Sequence, residues 1–179
     1  MYGFSRSERI VRSTGAHNDS IVSDTHVPKG QRQLPEECVW TCRDSDLIIH
    51  TGDFMEASIL ELFKSFGPPV VAVHGNVDST ELRNWLPEKT TVEVEGIRIG
   101  LVHDSGQKKG RLNRMRALFP DHDAVIFGHS DLPLHEEADG FQIFNPGSPT
   151  ERRRSPFRSM GVAKVDGSEI TLELINLGV

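Results

Sequence analysis

The chain is short of several things, and each shortage removes a class of protein. Only two of its 179 residues are cysteine, Cys38 and Cys42. A pair four apart is half of a structural zinc site at most, and no second pair exists to complete one. The reading left is two thiols on one helical face, turned to the core. No run of apolar residues approaches the roughly 20 needed to span a bilayer. Met1 to Asn18 carries Arg and Ser but no apolar stretch of the kind a secretory leader has. We therefore expect residues 1–18 to be an N-terminal extension, disordered in whole or part, before a single domain over 19–179 in the cytoplasm. An excess of positive charge is also missing. The net charge is −6, which argues against strong nucleic-acid binding but not against a phosphate substrate, because bound cations reverse the local field. There is no internal repeat and no linker that would divide the domain.

What is present is a set of short apolar runs with a common ending. Leu47-Ile48-Ile49-His50-Thr51 stops at Gly52-Asp53. Ser20-Ile21-Val22-Ser23 runs into Asp24-Thr25-His26. Val70-Val71-Ala72-Val73 runs into His74-Gly75-Asn76-Val77-Asp78. Ile97–Val102 ends at His103, and Ala124-Val125-Ile126-Phe127 ends at Gly128-His129-Ser130-Asp131. Each run reads as a buried strand. Four of the eight histidines, His26, His74, His103 and His129, lie just beyond such an end. So do Asp24, Asp53, Asn76, Asp78 and Asp131.

Between these strands lie helical stretches. Pro35 opens one that runs to about Arg43. Ala57–Phe66 presents Ile59, Leu62, Phe63 and Phe66 at helical spacing, and Gly67-Pro68-Pro69 stops it. Ser79 or Thr80 caps a short helix that Pro87 ends. Gly110 to Phe119 reads as a basic helix with Leu112, Met115 and Leu118/Phe119 inward. Strand, helix, strand at this spacing gives parallel strands with right-handed crossovers. The later chain alternates instead. Hairpins are expected around Glu95-Gly96, Asp139-Gly140 and Asp166-Gly167. The fold class is α/β, with two stacked mixed sheets and helices on the outside.

Ligands in open α/β sheets bind at the carboxyl ends of strands, where these groups collect. Residues two apart on a strand share a side, so Asp24 and His26 reach one ion if strand geometry persists. The donors are oxygen and imidazole nitrogen without thiolate, which suits Mn²⁺, Fe or Zn²⁺. Two ions about 3.5–4 Å apart form a clamp for in-line displacement at phosphorus and lower the pKa of a bridging water. Asp53 is placed at the centre of such a pair.

Asp24-x-His26, Gly52-Asp53, Gly75-Asn76-x-Asp78, His103, Gly128-His129 and Asn145-Pro146-Gly147-Ser148 occur in the order seen in the calcineurin-like metallophosphoesterases. The chain resembles that superfamily, in particular its small bacterial and archaeal phosphodiesterases, over about Ser20 to Ser148. The resemblance implies a four-layer αββα sandwich and a dinuclear site. By it, Asp24 and His26 hold the first ion, Asp53 bridges, and Asn76, His103 and His129 hold the second. Asp53 and Asn76 are the residues nearest the chemistry. Where the family has a further histidine for the first ion, this chain has Asp131, a harder and more anionic ligand that favours Mn²⁺ or Mg²⁺ over Zn²⁺. Fe and Ni²⁺ remain open.

Val77 stands where many superfamily phosphatases have a histidine able to protonate a leaving group. Good leaving groups should therefore react best. Asp78 is expected to orient ligands, and His74 to touch a substrate phosphate. Arg152, Arg153 and Arg154 read as an exposed charged loop, with binding of a substrate phosphate or a partner as the alternative. The function implied is a metal-dependent phosphodiesterase acting on small phosphodiesters or nucleotide derivatives through a bridging hydroxide. Its alternatives are a phosphomonoesterase on the same site or a non-catalytic protein-binding scaffold of the same fold. No membrane association is expected, and a homo-oligomer is left open.

Overall fold

The structure is a computed structural model that describes residues 16–179 and the backbone of Glu8–Ile10. Of the expected extension 1–18, residues 1–7 and 11–15 lie outside the described residues. Strand β1 is Glu8–Ile10, and β2, His17–Val22, takes in the last two residues of that stretch. Two crossover units follow: β2, α1 (Glu36–Asp44), β3 (Leu47–His50), α2 (Ala57–Lys64) and β4 (Val70–Ala72). The three strands are parallel. After α3 (Thr80–Trp85) comes the hairpin of β5 (Lys89–Val94) and β6 (Ile97–Val102). Helix α4 (Arg111–Leu118) crosses to β7 (Ala124–Ile126), parallel to β6. Two further hairpins end the chain: β8 (Leu134–Ala138) with β9 (Phe141–Asn145), and β10 (Ser159–Asp166) with β11 (Glu169–Asn176).

The strands form two mixed sheets, one ordered β1-β5-β6-β7-β9-β8 and the other β11-β10-β2-β3-β4. Strand alternation sorts their side chains into three apolar layers. Ile21, Leu47, Ile49 and Val71 of one sheet meet Val92, Ile99, Leu101 and Ile126 of the other in the central layer. The alternate residues Val22, Ile48 and Ala72 face outward, against Cys38 and Cys42 of α1, Ile59, Leu60 and Phe63 of α2, and Leu82 of α3. Met115 and Phe119 cover Val125, Phe127 and Ile143 on the opposite side. Helix, sheet, sheet, helix is the four-layer sandwich expected from sequence. Each fully buried side chain of the size of Phe63 contributes about 1.5–3 kcal/mol.

Two inward assignments are corrected. On α2 Leu62 is 40% exposed and Leu60 only 2%. The buried stripe is centred between Ile59 and Phe63, so one turn of the helix carries Leu60 in and Leu62 out. On α4, Leu118 is likewise exposed and Phe119 takes the inward place. Ser79 does cap α3, its Oγ accepting from the Leu82 amide at 3.3 Å. Among the described residues no helix is long and apolar enough to cross a membrane.

Candidate metal centre

The carboxyl ends of β2, β3 and β4 in one sheet and of β6, β7 and β9 in the other open on the same edge of the sandwich. The expectation that strand alternation would carry Asp24 and His26 to one side is corrected. β2 ends at Val22, and both residues then adopt left-handed backbone, with φ 53° and 46°. Asp53 (61°), His129 (72°) and Asp131 (55°) do the same. A non-glycine residue in that region is held against a local cost of about 1–2 kcal/mol. Five site residues share it because sharp reversals at the strand ends turn their side chains back toward one point, and such strain gathers where function requires it.

Hydrogen bonds impose these reversals. The Asp24 amide donates to the Gly52 carbonyl and the His26 amide to the Asp53 carbonyl, each at 3.0 Å. Asp78 ties the loops after β3 and β4 together. Its Oδ2 accepts from the Asp53 amide at 3.0 Å and the Gly75 amide at 2.7 Å, and its Oδ1 from the Met55 amide at 2.7 Å. From β9, Asn145 Nδ2 donates to the Gly128 carbonyl at 2.9 Å. Ser148 Oγ donates to the Asp24 carbonyl at 2.8 Å, and Thr150 Oγ1 to the Thr25 carbonyl at 2.6 Å. The Asn-Pro-Gly-Ser turn and Thr150 therefore fasten the first loop.

Gly52 and Gly75 face each other across the site. A Cβ on Gly75 would lie 2.0 Å from Asp53 Oδ1 and 2.5 Å from the Asp53 nitrogen. Gly75→Ala is therefore expected to push Asp53 out of place and to cost about 1–3 kcal/mol of stability. Urea unfolding read beside metal stoichiometry checks it; an alanine variant with parental values of both would contradict this placement.

Seven candidate residues meet. Asp53 Oδ2 is 3.2 Å from His26 Nε2 and 3.3 Å from His103 Nε2. On one side of it stand Asp24, His26 and Asp131, with ligand atoms within 4.8 Å of one another. On the other, Asn76 Oδ1 is 3.0 Å from His103 Nε2 and 2.9 Å from His129 Nδ1. His129 also donates its amide to both Asp24 oxygens, at 3.1 and 3.0 Å. His103 Nδ1 donates to the Thr51 carbonyl at 2.7 Å, which fixes the ring and leaves Nε2 aimed at Asp53. His74 is half-buried on the wall of a cavity of ≈ 350 Å³ that also touches Asn76, Arg83 and His103. His50 is fully buried against Phe54 and Phe63, with Nδ1 accepting from the Gly52 amide, and is not part of the group.

The charges are those of a site built around cations. Burial lifts the Asp24 carboxyl to about 7, helped by the Asp131 and Asp53 carboxylates and opposed by His103. Burial also raises Asp131, against His26 and Arg153. Burial pulls His103 down, but its hydrogen bond to Asp53 and the Asp24 charge win and raise it to about 9. His26 is raised for the same reasons. Asp53 is held well below the usual carboxylate range; burial opposes this, and the His103 and His26 hydrogen bonds overcome it. Protons sit where ions would neutralise the same carboxylates. His26 Nδ1 and Asp131 Oδ1 are buried without hydrogen-bond partners. Orphaned donors and acceptors at this spacing, mixed oxygen and imidazole in type, fit divalent metal ions.

A sequence profile described as the calcineurin-like phosphoesterase superfamily domain matches residues 20–168. The chain belongs to that superfamily. A probable metallophosphoesterase of Methanothermobacter thermautotrophicus is 32% identical over 163 residues, covering 88% of this chain and 91% of the relative. A phosphodiesterase of Methanocaldococcus jannaschii is 25% identical over 140 residues, 71% of this chain and 81% of that one. The solution structure of a Thermotoga maritima protein, 29% identical, superposes with a TM-score of 0.71 over 89% of this chain and 99% of that chain. Membership makes the chain a metallophosphoesterase by family, and its candidate metal ligands are in place.

Sequence reasoning missed Glu151 and Arg32 at this edge of the site, and favoured an exposed charged loop for Arg153. Glu151 Oε2 lies 3.4 Å from His26 Nδ1, and Arg32 pairs with Glu151 Oε1 at 3.0 Å. Arg153 Nε contacts Asp131 Oδ2. The loop read first as an exposed charged segment thus reaches the candidate metal ligands His26 and Asp131. Nothing in the local pattern marks it, because its partners lie more than 20 positions away.

Proposed function

We propose that the protein is a dinuclear metal-dependent phosphodiesterase acting on small phosphodiesters or nucleotide derivatives, with Mn²⁺ as its preferred ion. The observation that carries this reading is Asp53 Oδ2, a single oxygen shared between two donor sets. Asp24, His26 and Asp131 would hold one ion, and Asn76, His103 and His129 the other. Bound there, two divalent cations supply an activated water and charge neutralisation for the phosphate oxygens.

The chain's own groups do the rest. Asp78 holds the Asp53 and Gly75 amides and so keeps the bridging carboxylate still. Arg83 Nε donates to the Asp78 carbonyl at 3.0 Å, and its Nη2 contacts the Asn76 carbonyl, fixing the turn that carries Asn76. The cavity beside Asn76 and His103 has room for a leaving group, and His74 on its wall would meet a phosphate oxygen. Val77, 45% exposed at that edge, offers no proton. Leaving groups that depart unprotonated are therefore favoured, and retention of both donor sets supports an enzyme over a scaffold. Action on a small diester in the cytoplasm, without nucleic-acid or membrane binding, fits the charge and composition.

The test is hydrolysis of bis-p-nitrophenyl phosphate against p-nitrophenyl phosphate in Mn²⁺, Mg²⁺, Ni²⁺ and Zn²⁺. Diester turnover should exceed monoester turnover by about tenfold and be greatest with Mn²⁺. A faster monoester would favour the phosphomonoesterase alternative, and no metal-dependent turnover of either would remove the enzyme reading.

A further inference from the structure

The first ion position is crowded with negative charge. Asp24, Asp53 and Asp131 surround it, and Glu151 stands 3.4 Å from His26 Nδ1. Two arginines answer them. Arg32 pairs with Glu151, and Arg153 reaches Asp131 and lies 3.9 Å from Glu151 Oε2. The Arg153–Asp131 contact is asymmetric in a useful way. The guanidinium takes Oδ2, while Oδ1 faces His26 Nδ1 at 3.9 Å and stays open. The Asp131 side chain is fully buried and that of Arg153 half exposed, so the arginine reaches in from the rim.

The backbone is built to allow that reach. Arg153 is itself left-handed, with φ 47°, an uncommon state for a long side chain. The loop before it is pinned where Ser148 Oγ accepts from the Glu151 amide at 3.0 Å while donating to the Asp24 carbonyl.

We infer that Asp131 and Arg153 act as one unit in the first ion site. The guanidinium offsets the carboxylate, so the pair presents to an ion the net charge of a neutral imidazole while keeping an oxygen ligand. Arg153 is a positioning residue that sets the affinity of this site without touching the ion. Asp131 alone would make the site over-anionic and bind too tightly for exchange. Arg153 alone would repel the ion. This rests on the dinuclear reading above, which it deepens.

The test is calorimetric titration of Mn²⁺ into the metal-free full-length protein and four variants, with both binding steps resolved. Arg153→Ala should tighten the first-site step about tenfold, since it unmasks a buried carboxylate, and Arg153→Lys should stay within about threefold of the parent. Asp131→His should weaken that step by at least about tenfold, because Arg153 then faces the ion unpaired. Asp131→His with Arg153→Ala should return to within about threefold of the parent. The step at Asn76, His103 and His129 should hold steady throughout, which shows that each variant is folded. Equal affinities for parent and Arg153→Ala, or a double variant that stays as weak as Asp131→His, overturn the inference while leaving the dinuclear reading intact. A parent that takes up no ion overturns both.

Discussion

Asp53→Ala will lower metal-dependent phosphodiester turnover by at least roughly a thousandfold, the rate equivalent of several kcal/mol of lost charge stabilisation. Among the described residues, no other side chain has an oxygen within 3.3 Å of a histidine from each donor set. Its other oxygen accepts from the Val77 amide at 3.0 Å, so the same residue fixes the turn that presents Asn76. Alanine removes both contacts. Asp53→Asn separates them, since the amide oxygen can still accept from Val77 while the amide nitrogen can bind no cation. Both variants should lose turnover and metal content, measured by elemental analysis. Only alanine should also lower the melting temperature of the metal-free protein substantially. Retained turnover with full metal content in Asp53→Asn would remove the carboxylate from the chemistry.

Metal loading is expected to reverse the way stability depends on pH. In the metal-free protein His103 is raised to about 9 from 6.5. Its contribution is fully present below about 6.5 and lost as pH rises through 9. Asp24 is raised from 3.8 to about 7. The protonated acid is favoured by the fold, so its contribution is present below about 3.8 and lost as pH rises through 7. Both changes have the same sign; buried His50, held well below its ordinary value by burial, opposes them below about pH 6.5, so metal-free protein should lose stability mainly between about pH 6.5 and pH 9. Ions compete with those protons, so binding strengthens over the same window and releases protons. At a hundredfold excess over Kd, loading adds about 2.7 kcal/mol, or about 5–11 °C for a domain of this size. Melting curves with Mn²⁺ and with a chelator, taken at pH 6 and pH 8.5, should diverge more at the higher pH. A gap that narrows with pH would mean that these two groups do not line the ion sites.

Six of the seven candidate ligands follow an apolar run that stops abruptly, and Asp131 closes the Gly128-His129 stretch; the resemblance to the superfamily, and not position alone, set them apart from His74 and Asp78. The alternation that makes a buried strand also fixes where the strand ends, and the order of the blocks points to the superfamily and its four layers. Local pattern was weaker on the helices. Leu60 and Leu62 are equally apolar, and only the packed orientation of α2 decides which one is covered.

The sequence by itself determined the two sheets, the crossovers and Asp53 at the end of β3, since these follow from periodicity and from where apolar runs stop. The tertiary structure decided three things. It brings Asp24 and His26 together by left-handed turns instead of strand alternation, because the carbonyls of Gly52 and Asp53 capture their amides. It makes Asp53 the shared oxygen, because the two sheets open on one edge. It also carries Arg153 to Asp131, a pairing that depends on how a distant loop is pinned to the Asp24 backbone and that no local spacing encodes.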